Sequence, residues 1–261
     1  MNTRVFIAQL KAGFHLWLAF YRHSPALIAV LLLRPYLVLL ALTAISQETT
    51  PTKLLKDVMI SVLVVSSIDI VWDLAGNALS LRFLGVLPYI AVAPSSPSIA
   101  LVLSYIPRYL IESLLKAAEF LPLLALFVGF APALLNVSLI FLLSLLAALP
   151  LLGLSSLVAY SVLASKEETV WLDWLAPLIL LVSGAIYPIS ILPPWVQAVA
   201  KLLPTTYLFE LVHALTEGGL AGDAITAVAL VYLTTSLLFN SILQFLVSKG
   251  ESELLRRGIH V

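Results

Sequence analysis

Long apolar runs separated by short polar breaks dominate the chain, and run length decides what each can become. They extend from Pro25 to about Ile45, Val58 to Leu79, Leu103 to Phe130, Leu134 to about Leu163, Val170 to Tyr187 and Ala224 to Val247. Crossing a hydrocarbon core of roughly 30 Å takes about 20 helical residues, so each run predicts a membrane-spanning helix. The breaks suit turns: the Pro/Ser stretch Ala93 to Ser98, Pro132 before the fourth run, and Ser165-Lys166-Glu167-Glu168 before the fifth. Arg34-Pro35 interrupts the first run. The expected fold class is all-α, a polytopic membrane protein with six transmembrane helices over residues 25–261.

Two stretches follow a different pattern. In residues 1–24, Lys11, His15 and Arg22 fall within about 20° of Arg4 at 100° per residue, whereas Phe6, Leu10, Phe14, Trp17 and Tyr21 cluster at roughly 200–280°. A cationic face opposite an aromatic one predicts an amphipathic helix lying in the membrane interface. Between the fifth and sixth runs, about residues 192–217, Pro193-Pro194 opens a short helix from Trp195 to Leu203 that Pro204 ends. Thr205 or Thr206 caps a second, Tyr207 to about Thr216, closed by Gly218-Gly219. Neither is long enough to cross a bilayer, so both are expected to be re-entrant or interfacial.

Composition agrees with this pattern. Of 261 residues, 61% are apolar and 11% charged, against about 45–50% and about 25% in soluble domains. With 14 basic and 14 acidic side chains there is no excess positive charge to attract nucleic acid. The absence of cysteine excludes disulfides and thiol chemistry. Lys and Arg are uneven across the expected spans. One side holds Arg4, Lys11, Arg22, Arg82, Lys166, Lys249, Arg256 and Arg257, the other Lys53, Lys56 and Lys201. The positive-inside bias therefore places both termini in the cytoplasm and the protein in the cell membrane. No cleavable secretory signal is expected, because the first run carries Arg34 and lacks a small-x-small site.

Catalytic motifs are sparse. The sequence has no phosphate-binding G-x-x-x-x-G-K-[ST], no G-x-S-x-G and no H-E-x-x-H. Glu210 and His213 lie one helical turn apart, with Glu217 beyond, but a bundle metal site needs more ligands. Neither catalytic nor metal-ligating residues are assigned.

Seven ionisable residues sit at expected membrane depth: Arg34, Asp69, Asp73, Arg108, Glu112, Lys116 and Glu119. Each costs about 2.5–3.5 kcal/mol at a helix centre, so they should turn away from lipid. Asp69 and Asp73 share one face of the second span with Ser66, Asn77 and Ser80. Arg108, Glu112, Lys116 and Glu119 share one face of the third. Structural pairing is favoured: Arg108–Glu112, Glu112–Lys116 and Lys116–Glu119 along the helix, with Asp69 or Asp73 facing Arg34. The competing reading makes the stripes a polar route or switch.

Over nearly its whole length the chain resembles a type-2 ABC exporter permease. The layout matches, and Leu178 to Leu215 is similar to the family pattern L-S-G-x-x-[YF]-P-x-x-x-L-P-x-W…P-x-[TS]-Y through Ser183-Gly184, Tyr187-Pro188, Leu192-Pro193, Trp195, Pro204 and Tyr207. A second segment, about residues 80–98, keeps Arg82, Gly85, Leu87 and Pro94 of the charged loop after the second span. Phe83, Val86 and Pro88 replace the expected Glu, Thr and Glu. The resemblance implies a dimer of permease copies, each docked on a separate ATP-binding subunit that carries ATP and Mg, with no cofactor in this chain. It implies a coupling helix formed by Arg82, Phe83, Gly85, Leu87, Tyr89 and Pro94. An outer gate would be formed by Tyr187, Pro188, Pro193, Trp195, Pro204 and Tyr207. The implied substrate is lipophilic or lipid-linked. The alternatives are an ion- or proton-coupled carrier using the intramembrane carboxylates, and a non-transporting scaffold subunit.

Overall fold

A computed structural model describes residues 3–23, 26–46, 50–83, 96–164, 174–217 and 222–257. Among them every regular element is a helix: α1 (Thr3–His23), α2 (Ala26–Ser46), α3 (Pro51–Phe83), α4 (Pro97–Ala118), α5 (Leu121–Val128), α6 (Phe130–Ala164), α7 (Leu175–Val182), α8 (Pro194–Ala200), α9 (Pro204–Glu217) and α10 (Gly222–Arg257). A 3-10 turn at Ile189–Ile191 precedes α8. Four are long and apolar enough to cross a membrane, over Ala26–Ile45, Pro51–Leu79, Phe130–Val162 and Gly222–Ser252. They correspond to the first, second, fourth and sixth runs.

The third and fifth runs look different. Leu103 to Phe130 is divided between α4 and α5 at Glu119-Phe120. Pro122 supplies the reason, since its ring clashes with the carbonyl four residues back and it has no N–H to offer. Phe120 is fully buried at the break, its ring 4.5 Å from that of Tyr36. Within the described part of the fifth run, the α-helix is the eight-residue α7. It stops at Ser183 because Gly184 takes φ +79°, where a Cβ would meet Ile189 Cγ1 at 2.7 Å. The turn expected at Pro132 lies earlier, at Gly129 with φ +87°, and Pro132 falls within the first turn of α6, a position that tolerates proline.

α3 is the axis of the bundle. Of its span, 78% is buried, against 22% for α2 and 11% for α10. It packs against α2, α4, α6 and α9, and Val58, Val62, Leu63 and Val71 are wholly inside. Its run of β-branched and leucine side chains on all faces is what a helix surrounded by other helices requires.

α10 is held to α6 by groups that a proline makes necessary. Pro150 has no N–H, so the Leu146 carbonyl loses its helical partner; the Tyr232 hydroxyl of α10 donates to it instead. Eight residues further along α10, Asn240 donates from Nδ2 to the Leu149 carbonyl. Its Oδ1 accepts from Gly153 N at 2.8 Å. Gly153 is needed for this approach, because a Cβ would lie 2.5 Å from Asn240 Oδ1 and 3.0 Å from its Cα. Within a bilayer no water replaces these contacts. Asn240→Leu is expected to destabilise the protein by about 2–4 kcal/mol, the cost of stranding two buried backbone groups. A lowered thermal midpoint in detergent would show it; an unchanged midpoint would mean the two helices reseal without the amide.

Candidate functional site

Six of the seven ionisable residues expected at membrane depth converge where α1, α2, α3 and α4 meet. Asp69 is the hub of one half. Its Oδ1 accepts from Arg34 Nη1 and its Oδ2 from Lys116 Nζ, each at 2.6 Å. Asp69 and Lys116 are almost wholly buried, whereas the Arg34 side chain is 43% exposed. Arg108 is the hub of the other half, with Nη2 2.8 Å from Asp73 Oδ2 and Nε 2.7 Å from Glu112 Oε1. Tyr105 donates to Asp73 at 3.0 Å and its ring lies under the Arg108 guanidinium, 5.6 Å from centroid to Cζ.

Three cations therefore meet three carboxylates, and the set is formally neutral. That balance keeps the charges tolerable at low dielectric. Of the expected pairs, Arg108–Glu112 and Arg34–Asp69 are present. Lys116 departs from expectation: it reaches across to Asp69 and leaves Glu112 to Arg108 and Tyr21. Long-range pairing is favoured here because Asp69 can accept from two cations that converge from different helices. Glu119 stands apart, both carboxylate oxygens being enclosed without a hydrogen-bond partner, while its backbone carbonyl accepts from Tyr36 at 2.9 Å.

The N-terminal helix enters this network directly. α1 lies on α4, brought close at Gly13, where a Cβ would sit 1.9 Å from the Ser104 carbonyl oxygen. One end of this contact is the Tyr21 hydroxyl, which donates to Glu112 Oε1 at 2.6 Å. Burial first, and then the neighbouring Glu112 carboxylate, push the Tyr21 phenol well above its ordinary range. The aromatic face anticipated from the sequence is thus partly spent on α4. Ile7, Phe14 and Leu18 remain exposed on the helix, beside the cationic face that carries Arg4, Lys11 and Arg22.

At the other end of the bundle the proline-punctuated segment forms a compact cap. Pro188 precedes the 3-10 turn, Pro193 precedes α8, and Pro204 opens α9. Thr206 donates to the Ala200 carbonyl at 2.7 Å and Tyr207 to the Lys201 carbonyl at 2.9 Å, folding α9 back on α8. Trp195 is 73% exposed and Tyr187 half-buried. A cavity of about 390 Å³ beneath the cap is lined by Lys56, Ser190, Phe209, Glu210 and His213. Burial raises the Glu210 carboxyl, opposed by Lys201. Among the described residues no group of three His, Asp or Glu is placed to hold a metal ion.

Of the coupling-loop residues, Arg82 and Phe83 end α3, while Gly85, Leu87, Tyr89 and Pro94 lie outside the described residues. Immediately after them, the start of α4 is held by α10. Glu251 Oε1 accepts from Ser98 N at 2.9 Å and Ser98 Oγ at 2.6 Å, and Oε2 accepts from Ser96 Oγ. This carboxylate at a helix N-terminus is a cap supplied from 153 residues away. Nothing in the local sequence around Ser96 announces it.

No family model, curated protein or solved structure matches this chain.

Proposed function

We propose that the chain is the membrane permease subunit of an ATP-binding cassette exporter. In this reading it forms, with a second permease copy, the path for a lipophilic or lipid-linked substrate, and ATP is hydrolysed in a separate subunit. The observation that carries the proposal is the asymmetry of the two ends. A proline-built cap of two short helices precedes the last span, and an amphipathic helix with a cationic face lies against the bundle at the opposite end. Counting α4–α5 and the fifth apolar run of the sequence as one pass each makes six passes with both termini on the cytoplasmic side. The segment from Arg82 to Pro94 then faces the cytoplasm, where an ATP-binding subunit can seat it. α1 runs alongside α4 from that same side, with Ile7, Phe14 and Leu18 exposed.

The test is co-purification in mild detergent with an ATP-binding chain encoded next to it, followed by an ATPase assay. A stable assembly with two copies of each chain, whose ATPase depends on this subunit, is expected. Gly85→Glu or Leu87→Asp should abolish that dependence while the permease stays folded. If both variants stimulate hydrolysis like the parent, the coupling loop lies elsewhere; if no ATP-binding chain associates, the exporter reading falls. The second reading, an ion-coupled carrier, draws on Glu119. Asp69, Asp73 and Glu112 are each committed to a cation, so a carrier would have to use the enclosed Glu119 carboxylate, and Glu119→Gln would abolish transport.

A further inference from the structure

Beside the charge network, and sharing Tyr105 with it, a groove runs between α4, α6 and α10. Its wide end is a space of about 540 Å³, bordered by Leu103, Ser156, Ser241, Gln244, Phe245 and Ser248. Its narrow end is a cleft of about 200 Å³ walled by Ile70, Leu74, Tyr109, Leu145 and Leu149. The two share Val102, Ile106 and Leu152 as walls, so they adjoin. No charged side chain lines either part.

We propose that this groove holds one acyl chain of a membrane glycerolipid, with the lipid's ester-glycerol region at Gln244 and the chain's end against Leu145 and Leu149. Depth is the first reason. Leu145 and Ser156 are eleven residues apart on α6, about 16 Å at 1.5 Å per residue. That is close to half of a roughly 30 Å hydrocarbon core, the reach of a chain from one leaflet. Polarity is the second. Serines and one glutamine cluster toward the ends of α6 and α10 that carry Ser156 and Ser248, and the opposite end is closed by aliphatic side chains and Tyr109. A lipid has the same gradient, from ester carbonyls to methyl terminus.

At the mouth, the Gln244 amide is the group that can donate to this occupant. The hydroxyls of Ser156, Ser241 and Ser248 already donate to carbonyls of their own helices, at 3.1, 2.7 and 2.9 Å. Their free lone pairs can only accept. The Gln244 amide can donate to an ester carbonyl. In the cleft the chain meets fixed walls in place of mobile lipid tails, so what holds it there is van der Waals fit and not the hydrophobic effect. The inference needs only membrane insertion, and does not depend on the transport proposal.

The test uses the full chain in vesicles of phosphatidylethanolamine and phosphatidylglycerol doped with a phospholipid carrying a mid-chain diazirine. After irradiation, peptide mapping should find label concentrated on Ile70–Leu74 and Leu145–Leu149, well above the exposed α2 positions Leu33 and Leu37. Ala148→Phe and, separately, Ser155→Leu narrow the cleft from within. Both should lower its labelling severalfold by excluding the chain, with Leu33 and Leu37 unchanged as internal controls. Size-exclusion profiles of both variants show whether they remain folded. Three outcomes overturn the proposal: equal labelling of groove and α2, unchanged groove labelling in a folded variant, or, when cysteines replace Leu103 and Phe245 in this cysteine-free chain, disulfide-linked dimers under a mild oxidant.

Discussion

Asp69→Ala is expected to cost about 3–5 kcal/mol, because it strands a buried ammonium in a bundle with no water to receive it. Lys116 has 1% of its side chain exposed and lies 2.6 Å from Asp69. Arg34 loses its carboxylate in the same step, although its greater exposure leaves it a route toward the interface. The charge left in the interior is Lys116, so the double variant Asp69→Leu/Lys116→Met should recover much of the loss. Thermal unfolding in a mild detergent checks both. A single variant as stable as the parent would show that the pair contributes nothing, and a double variant no better than the single would place the damage at Arg34.

Gly13→Leu should release α1 from α4. The obstructing atoms are backbone: the Ser104 carbonyl oxygen at 1.9 Å and carbon at 2.7 Å from a Cβ built at position 13. A side chain could rotate aside, but the body of α4 cannot, so the helices must part. Overpacking of this kind costs about 1–3 kcal/mol, and α1 opens about tenfold more often for each 1.4 kcal/mol. The Tyr21–Glu112 bond breaks with the same movement, leaving Glu112 to Arg108 alone. Because the chain has no cysteine, one introduced at Leu10 is a clean reporter. Its maleimide labelling should accelerate about tenfold in the Gly13→Leu background. Equal rates would mean that α1 follows a different line of contact on α4.

The two predictions differ in how far a sequence reader could have reached them. That Asp69 needs a cationic partner follows from an acid in a long apolar run, and Arg34 is a natural choice. That Lys116 is the second partner does not, since Glu112 and Glu119 are nearer along its own helix. Gly13 gives still less warning, being one glycine in an amphipathic helix whose aromatic face looks sufficient for a membrane surface. Tyr232 and Asn240 were legible only in part: Pro150 inside a span signals carbonyls in need of donors, but not which helix supplies them. Glu251, far along the chain from the serines it caps, left no local trace.

Span length, apolar burial and the run of prolines before the last helix could all be read along the chain, because each sums over neighbouring residues and a bilayer rewards that sum irrespective of what packs alongside. This accounts for α2, α3, α6 and α10, and for the short helices α8 and α9. Pairing is different in kind. Whether Lys116 meets Asp69 or Glu112, whether the third run continues past Glu119, and whether α10 lies close enough to mend α6 at Pro150 all depend on distances between helices. Those distances are set by the fit of side chains such as Gly13, Gly153 and Phe120, and exist only once the bundle is assembled.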